Sequence, residues 1–197
     1  MISALVWNVR GISSAVIQRR IKKLQLLHKM KTLVILEPMV DNSKADFIRR
    51  KLGFEKVFKN CSQKIWLFHS VDLSCEVLLD QVQCLHVKLT MPWLEIPLLA
   101  SFIFVKCTRS ERLILWDCLR GLSANIHAPW IVGGDFNAII RSGERMNGAA
   151  PHGGSMEDFA TALLDCGLMD GEYEGNPFTW TNNRMFQRLD RMVYNHH

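Results

Sequence analysis

Short apolar runs, each giving out at a polar residue, recur along this chain and limit what it can fold into. Leu5–Asn8 and Thr32–Leu36 read as short buried strands. Lys56–Lys59, Lys64–His69, Glu76–Leu79, Cys84–Thr90 and Ala100–Lys106 are short and rich in β-branched and aromatic residues, which favours strands over helices. Amphipathic segments are fewer. Ser14 to Lys29 predicts a helix, with Ser14 able to cap it and Ile17, Ile21, Leu24 and Leu27 recurring at helical spacing. Ser43–Leu52 predicts a second helix, stopped by Gly53. Further on come a helix at Arg109–Leu122, a strand at Trp130–Gly133, a helix at Met156–Cys166, and strands at Phe178–Thr181 and Leu189–Tyr194. With no repeat and no Pro/Gly/Ser linker, the chain reads as one domain over residues 1–197. Many strands with few helices predict an α+β, two-sheet β-sandwich with flanking helices, not a doubly wound parallel sheet.

Composition narrows the class. Hydrophobic residues make up 48% of the 197, enough to bury a core and to exclude wholesale disorder. The longest apolar stretch, Trp93 to Val105, is broken by Glu95 and Pro97 and falls short of the ~20 residues that span a bilayer. MISALVWNVRG lacks the basic region and cleavage site of a signal peptide. The expectation is a soluble, intracellular, monomeric protein of nucleus or cytoplasm, neither secreted nor membrane-bound. The six cysteines are far apart, without CxxC or zinc-finger spacing, and read as buried free thiols. Charge is uneven within the net +5. Residues 10–64 hold fourteen Lys/Arg against four Asp/Glu, and the rest of the chain ten against fifteen. Such a basic third suits a polyanion, although Arg19, Arg20, Lys22 and Lys23 interleave with apolar residues as on any solvated helix face.

Four polar positions sit where apolar strands end. Asn8 follows Ala4–Trp7, Glu37 follows Leu33–Leu36, and Asp135 and Asn137 follow Trp130–Gly134. A strand end fixes a side chain while leaving its tip in a loop region, where sites are built. Asn and Glu together suit a hard cation such as Mg²⁺, which takes oxygen ligands and keeps several waters. Asp135 and Asn137, two apart, point the same way if the backbone stays extended, and could orient a water and steady a phosphate oxygen. Each residue alone could equally be ending its strand in a turn.

WNVRGI (Trp7–Ile12), ILEP (Ile35–Pro38), GGDFNAII (Gly133–Ile140), PFTW (Pro177–Trp180) and RLDR (Arg188–Arg191) occur in the order found in the endonuclease/exonuclease/phosphatase superfamily. Over Met1 to Asn195 the chain most resembles the endonuclease domain of plant LINE-type, non-LTR retrotransposon polyproteins. The resemblance implies an exonuclease III/DNase I-like four-layer sandwich and Mg²⁺-assisted hydrolysis of DNA phosphodiesters leaving a 3′-hydroxyl. It implies Glu37 and Asn8 at the metal, Asp135 aligning and deprotonating the water, and Asn137 holding the scissile phosphate. Thr179, Trp180 and Arg10 would face nucleic acid, and Asp190 would orient a catalytic histidine. Two departures stand out. Phe104 occupies a position where a tyrosine is expected. The terminal Ser-Asp-His motif, on a strand that would pair beside Leu5–Asn8, has no counterpart, since no Asp-His dipeptide occurs; His196 and His197 come too early to replace it. The resemblance therefore implies a C-terminally truncated domain, its last strand or strands missing, that is impaired or inactive and binds DNA weakly. A non-catalytic retrotransposon remnant, or a phosphatase or phosphodiesterase of the same superfamily, stays open as an alternative.

Overall fold

The computed structural model describes residues 3–171 and 173–196, so His197 lies outside the described residues. The chain forms two compact units, Met1–Phe104 and Val105–His197. The first opens β1 (Ala4–Asn8), α1 (Ala15–His28), β2 (Thr32–Leu36) and α2 (Ala45–Leu52), and continues through β3 (Lys56–Lys59), β4 (Ile65–His69), β5 (Ser74–Asp80), β6 (Cys84–Thr90) and β7 (Leu98–Phe104). β1 and β2 pair in parallel, β4 runs antiparallel to both β2 and β3, and the sheet order is β1-β2-β4-β3. β5, β6 and β7 form an antiparallel meander, with an irregularity in β5 between Val77 and Leu79.

Burial on both faces explains why β2 is apolar at every position but one. Leu33 and Ile35 of β2 and Trp66 and Phe68 of β4 share a core with Ile21 of α1 and Ala45, Ile48 and Leu52 of α2. The alternate residues Val34, Leu36, Ile65 and Leu67 are equally buried, on the opposite face, where β4 approaches β7. This is a helix layer, a sheet and a second sheet within one unit. Gly53 takes φ 84° and ends α2 in the left-handed conformation that favours glycine. Ser14 sits at the N-terminus of α1, but no hydrogen bond from its side chain caps the helix, contrary to the sequence expectation. Gln18 instead reaches back to Ile12 O at 2.7 Å and ties the helix to the loop before it.

The second unit holds α3 (Arg109–Ser123), β8 (Trp130–Asp135), β9 (Arg145–Met146), α4 (Gly153–Asp165), β10 (Met169–Asp170), β11 (Trp180–Thr181), β12 (Phe186–Gln187) and β13 (Asp190–Tyr194). β13 lies between β8 and β10, antiparallel to both, while β9, β11 and β12 form a small separate sheet. α3 and α4 pack together through Trp116 and Phe159, whose rings stack at 4.9 Å, with Phe136 against Phe159 at the same distance. The two-residue strands β9, β10 and β12 escape sequence reading, because periodicity needs more residues than they have. α4 begins three residues earlier than expected, where His152 Nδ1 accepts the Ser155 N–H and supplies the cap. The fold class is α+β, sheets with flanking helices, as expected. Of the six cysteines, Cys84 and Cys166 are buried, while Cys61 and Cys107 are exposed, so the expectation of uniformly buried thiols fails. Among the described residues no helix is long and apolar enough to cross a membrane.

Candidate active site

In the first unit, the parallel pairing of β1 with β2 sets Asn8 opposite Leu36 and so places Glu37 one residue beyond it. The chain stays paired after the strands end: Val9 N–H donates to Leu36 O, Gly11 N–H to Glu37 O at 2.9 Å and Ile12 N–H to Pro38 O at 2.8 Å. Gly11 takes φ 117°, which explains the glycine in WNVRG. Glu37 (φ 50°) and Arg10 (φ 47°) are themselves left-handed, a conformation uncommon outside glycine that clusters at functional positions. Glu37 retains 18% side-chain exposure, with Arg10 Nε 4.0 Å from its carboxylate, and Asn8 Oδ1 accepts the Arg10 N–H at 3.3 Å. Two oxygen-bearing side chains thus sit at neighbouring strand ends. Among the described residues no group of three or more His, Cys, Asp and Glu gathers as a metal cage. One carboxylate beside one amide fits Mg²⁺, which commonly takes one or two carboxylates and keeps its waters, and does not fit a structural zinc.

In the second unit, Asp135 is the last residue of β8 and is buried. The expectation that Asp135 and Asn137 share a direction through extended backbone is not met. Asn137 has φ 45°, and its N–H donates to Asp135 Oδ1 at 2.9 Å, so a side-chain turn joins the two residues instead. Asn137 Nδ2 donates to Val105 O at 2.6 Å, which fixes the amide's orientation. Asp190 lies directly opposite Asp135 across β8 and β13, so the two carboxylates share a face of the sheet. Thr179 Oγ1 accepts the N–H groups of Leu189 and Asp190, each at 3.0 Å. The threonine of PFTW thereby pins the aspartate of RLDR. Trp180, in β11, is half-buried. The structure brings Asp135, Asn137, Asp190 and Thr179 together in this unit, and Asn8, Glu37 and Arg10 together in the other.

Sequence reasoning missed the groups behind these residues. Glu144 accepts the Ile140 N–H at 2.8 Å, and its carboxylate binds Arg191 Nη2 at 2.7 Å. Arg191 and Arg188 both reach Asp170, at 2.9 and 2.8 Å. Burial pushes the Glu144 carboxyl up, but the Arg191 hydrogen bond, the Ile140 N–H and the two arginine charges outweigh it and hold the group below its ordinary range. Arg112, equally hidden, is drawn below its ordinary range by burial. The two arginines of RLDR gave a signal, since charges flanking a motif inside an apolar strand must be paired. Glu144 and Arg112 gave none. Two strand histidines make local contacts: His86 Nδ1 meets Ser101 Oγ at 2.8 Å, and His69 Nδ1 meets Ser70 O at 3.0 Å.

Residues 103–197 match the Endonuclease/Exonuclease/phosphatase family. No curated protein sequence matches the chain. Similar solved structures include the endonuclease domain of TRAS1, a telomere-specific non-LTR retrotransposon, at 18% identity and TM-score 0.68, covering 100% of this chain and 86% of that one. A 3′ phosphatase, NExo from Neisseria bound to a product DNA hairpin, is similar at 15% identity and TM-score 0.70, covering 100% and 87%. The catalytic domain of human Nocturnin is similar at 17% identity and TM-score 0.61, covering 100% and 83%. The second half of the chain thus matches the endonuclease/exonuclease/phosphatase family in sequence, and the whole chain shares the fold of these solved structures.

Proposed function

We propose that the chain is a Mg²⁺-dependent, phosphodiester-cleaving endonuclease-like domain of non-LTR retrotransposon type, spanning residues 1–197 and acting on DNA. The observation that carries this reading is the placement of Asn8, Glu37, Asp135 and Asn137 at strand ends, each held by its own loop hydrogen bonds. Glu37 is the charged ligand for the cation and Asn8 its neutral neighbour. Bound there, the cation would supply Lewis-acid stabilisation of charge on a phosphate oxygen. Asp135 accepts the proton of the attacking water, its carboxylate fixed by the Asn137 N–H. Asn137 donates its remaining Nδ2 hydrogen to the phosphate, because the other is committed to Val105. Asp190, held by Thr179, would orient an imidazole. In this reading hydrolysis is slow, and DNA binding is weak and chiefly electrostatic, with Arg10, Thr179, Trp180 and the exposed cations of α1 as contacts. A monomer of nucleus or cytoplasm, plant in origin, fits the same reading.

The likeness to a 3′ phosphatase supports a second reading, hydrolysis of terminal phosphate monoesters by the same residues. Plasmid nicking assayed in Mg²⁺ and in EDTA, beside release of phosphate from a 3′-phosphorylated oligonucleotide, separates the two. Slow Mg²⁺-dependent nicking, lost in Asp135→Ala, is the expected outcome. Phosphate release without nicking would replace the first reading with the second.

A further inference from the structure

Arg112, on α3, is only 8% exposed, yet its guanidinium binds three neutral oxygens. Nη1 donates to Cys107 O at 2.5 Å and to Asn137 O at 3.2 Å, and Nη2 donates to Ser155 Oγ at 2.7 Å. These acceptors belong to three pieces of chain: the segment entering α3, the loop after β8, and the first turn of α4. Its counter-charge, Asp158, is bonded to Arg109 and reaches Arg112 only through its field, so all three hydrogen bonds of this buried guanidinium go to uncharged groups. An apolar side chain of the same volume would leave those acceptors without this donor, so the place of the guanidinium is set by the groups it bridges.

Asn137 is one of these groups. Asn tolerates its left-handed backbone better than other side-chain-bearing residues, and here the neighbours fix it there. Three of its groups are gripped: the N–H by Asp135, the amide nitrogen by Val105 and the carbonyl by Arg112. Among these, Arg112 is the tie that runs to both flanking helices. We infer that Arg112 is a positioning residue that holds Asn137 in the one orientation that points its free amide hydrogen at a phosphate. The inference rests on the nucleolytic reading above for the word phosphate, and on the geometry alone for the grip. A planar five-donor fork suits this three-way bridge, and lysine cannot reproduce it.

The test uses the full chain with ¹⁵N-asparagine, the Asn137 signals being identified by their loss in Asn137→Ala. In Arg112→Gln, the backbone and side-chain amide signals of Asn137 should move and exchange faster with water, while those of Asn60 and Asn195 hold. Arg112→Lys should give a smaller movement in the same direction, and it decides the matter if the Gln variant does not fold. Affinity for a short DNA duplex in Mg²⁺, read by fluorescence anisotropy, should fall about tenfold in Arg112→Gln, the scale of one charge-assisted hydrogen bond. Made in Asn137→Ala, the same change should cost no more than ~2-fold, since coupled residues are not additive. Stationary Asn137 signals, a general movement of all asparagines, or equal losses in both backgrounds would overturn the proposal. If no variant binds DNA, the nucleolytic reading falls, and the Asn137 signals still decide the role of Arg112.

Discussion

Glu37 and Asp135 carry the two charges on which the proposed chemistry depends, and they should fail differently when neutralised. Glu37→Gln keeps the shape and hydrogen-bonding reach of the side chain but removes the charge facing the cation. Mg²⁺-dependent heats in titration calorimetry should vanish in that variant; unchanged heats would move the metal elsewhere. Asp135→Ala loses the acceptor of the Asn137 N–H as well as the base. His86 bears on pH. Burial pulls its pKa below the ordinary 6.5, so the neutral ring is the form the fold prefers. Its contribution is therefore present above about pH 6.5 and lost as pH falls below that value toward the depressed pKa. Thermal melts from pH 8 to 5 should show a drop that is shallower in His86→Gln. Equal slopes would mean that other groups carry it.

Elements differ in how legible they are. α1 and α2 can be read from apolar spacing and β2 and β4 from short runs apolar almost throughout, because the helices turn one face to the core while the strands are buried on both. Leu27, expected on the apolar face of α1, is exposed. Glu37 and Asp135 can be found because a strand that ends on a carboxylate is conspicuous. A turn at Asp135 is one of the two readings its sequence allows, and spacing cannot decide between them, since the choice depends on a left-handed φ that Asn tolerates but does not announce. The Glu144–Arg191–Asp170–Arg188 cluster stays hidden for another reason: its partners are far apart in sequence and meet only when β13 inserts between β8 and β10. Glu144→Gln should cost about 3 kcal/mol in urea unfolding, because the change leaves two buried arginines sharing Asp170 as their counter-charge. A loss below about 1 kcal/mol would show the cluster to be better screened than its burial implies. For α1, neutralising Arg19, Arg20, Lys22 and Lys23 together should weaken DNA binding and flatten its salt dependence. All four are exposed on a helix without a single acidic residue, and Arg20 also lies 5.5 Å over the Trp7 ring. A preserved salt slope would make that face mere surface.

At the scale of the whole molecule, stability and chemistry draw on different residues, and one position sets them against each other. Glu37 adopts a backbone conformation that glycine enters freely and a side-chain-bearing residue enters at a cost of roughly 1 kcal/mol. Its carboxylate adds little to the fold in return: its ion-pair partner among the described residues is an exposed guanidinium at 4.0 Å. Breeding this protein for yield or heat resistance alone would thus favour glycine at 37. On the proposed reading, such a population would drift toward sturdier chains that no longer respond to magnesium, each looking like an improvement until a nuclease assay was run.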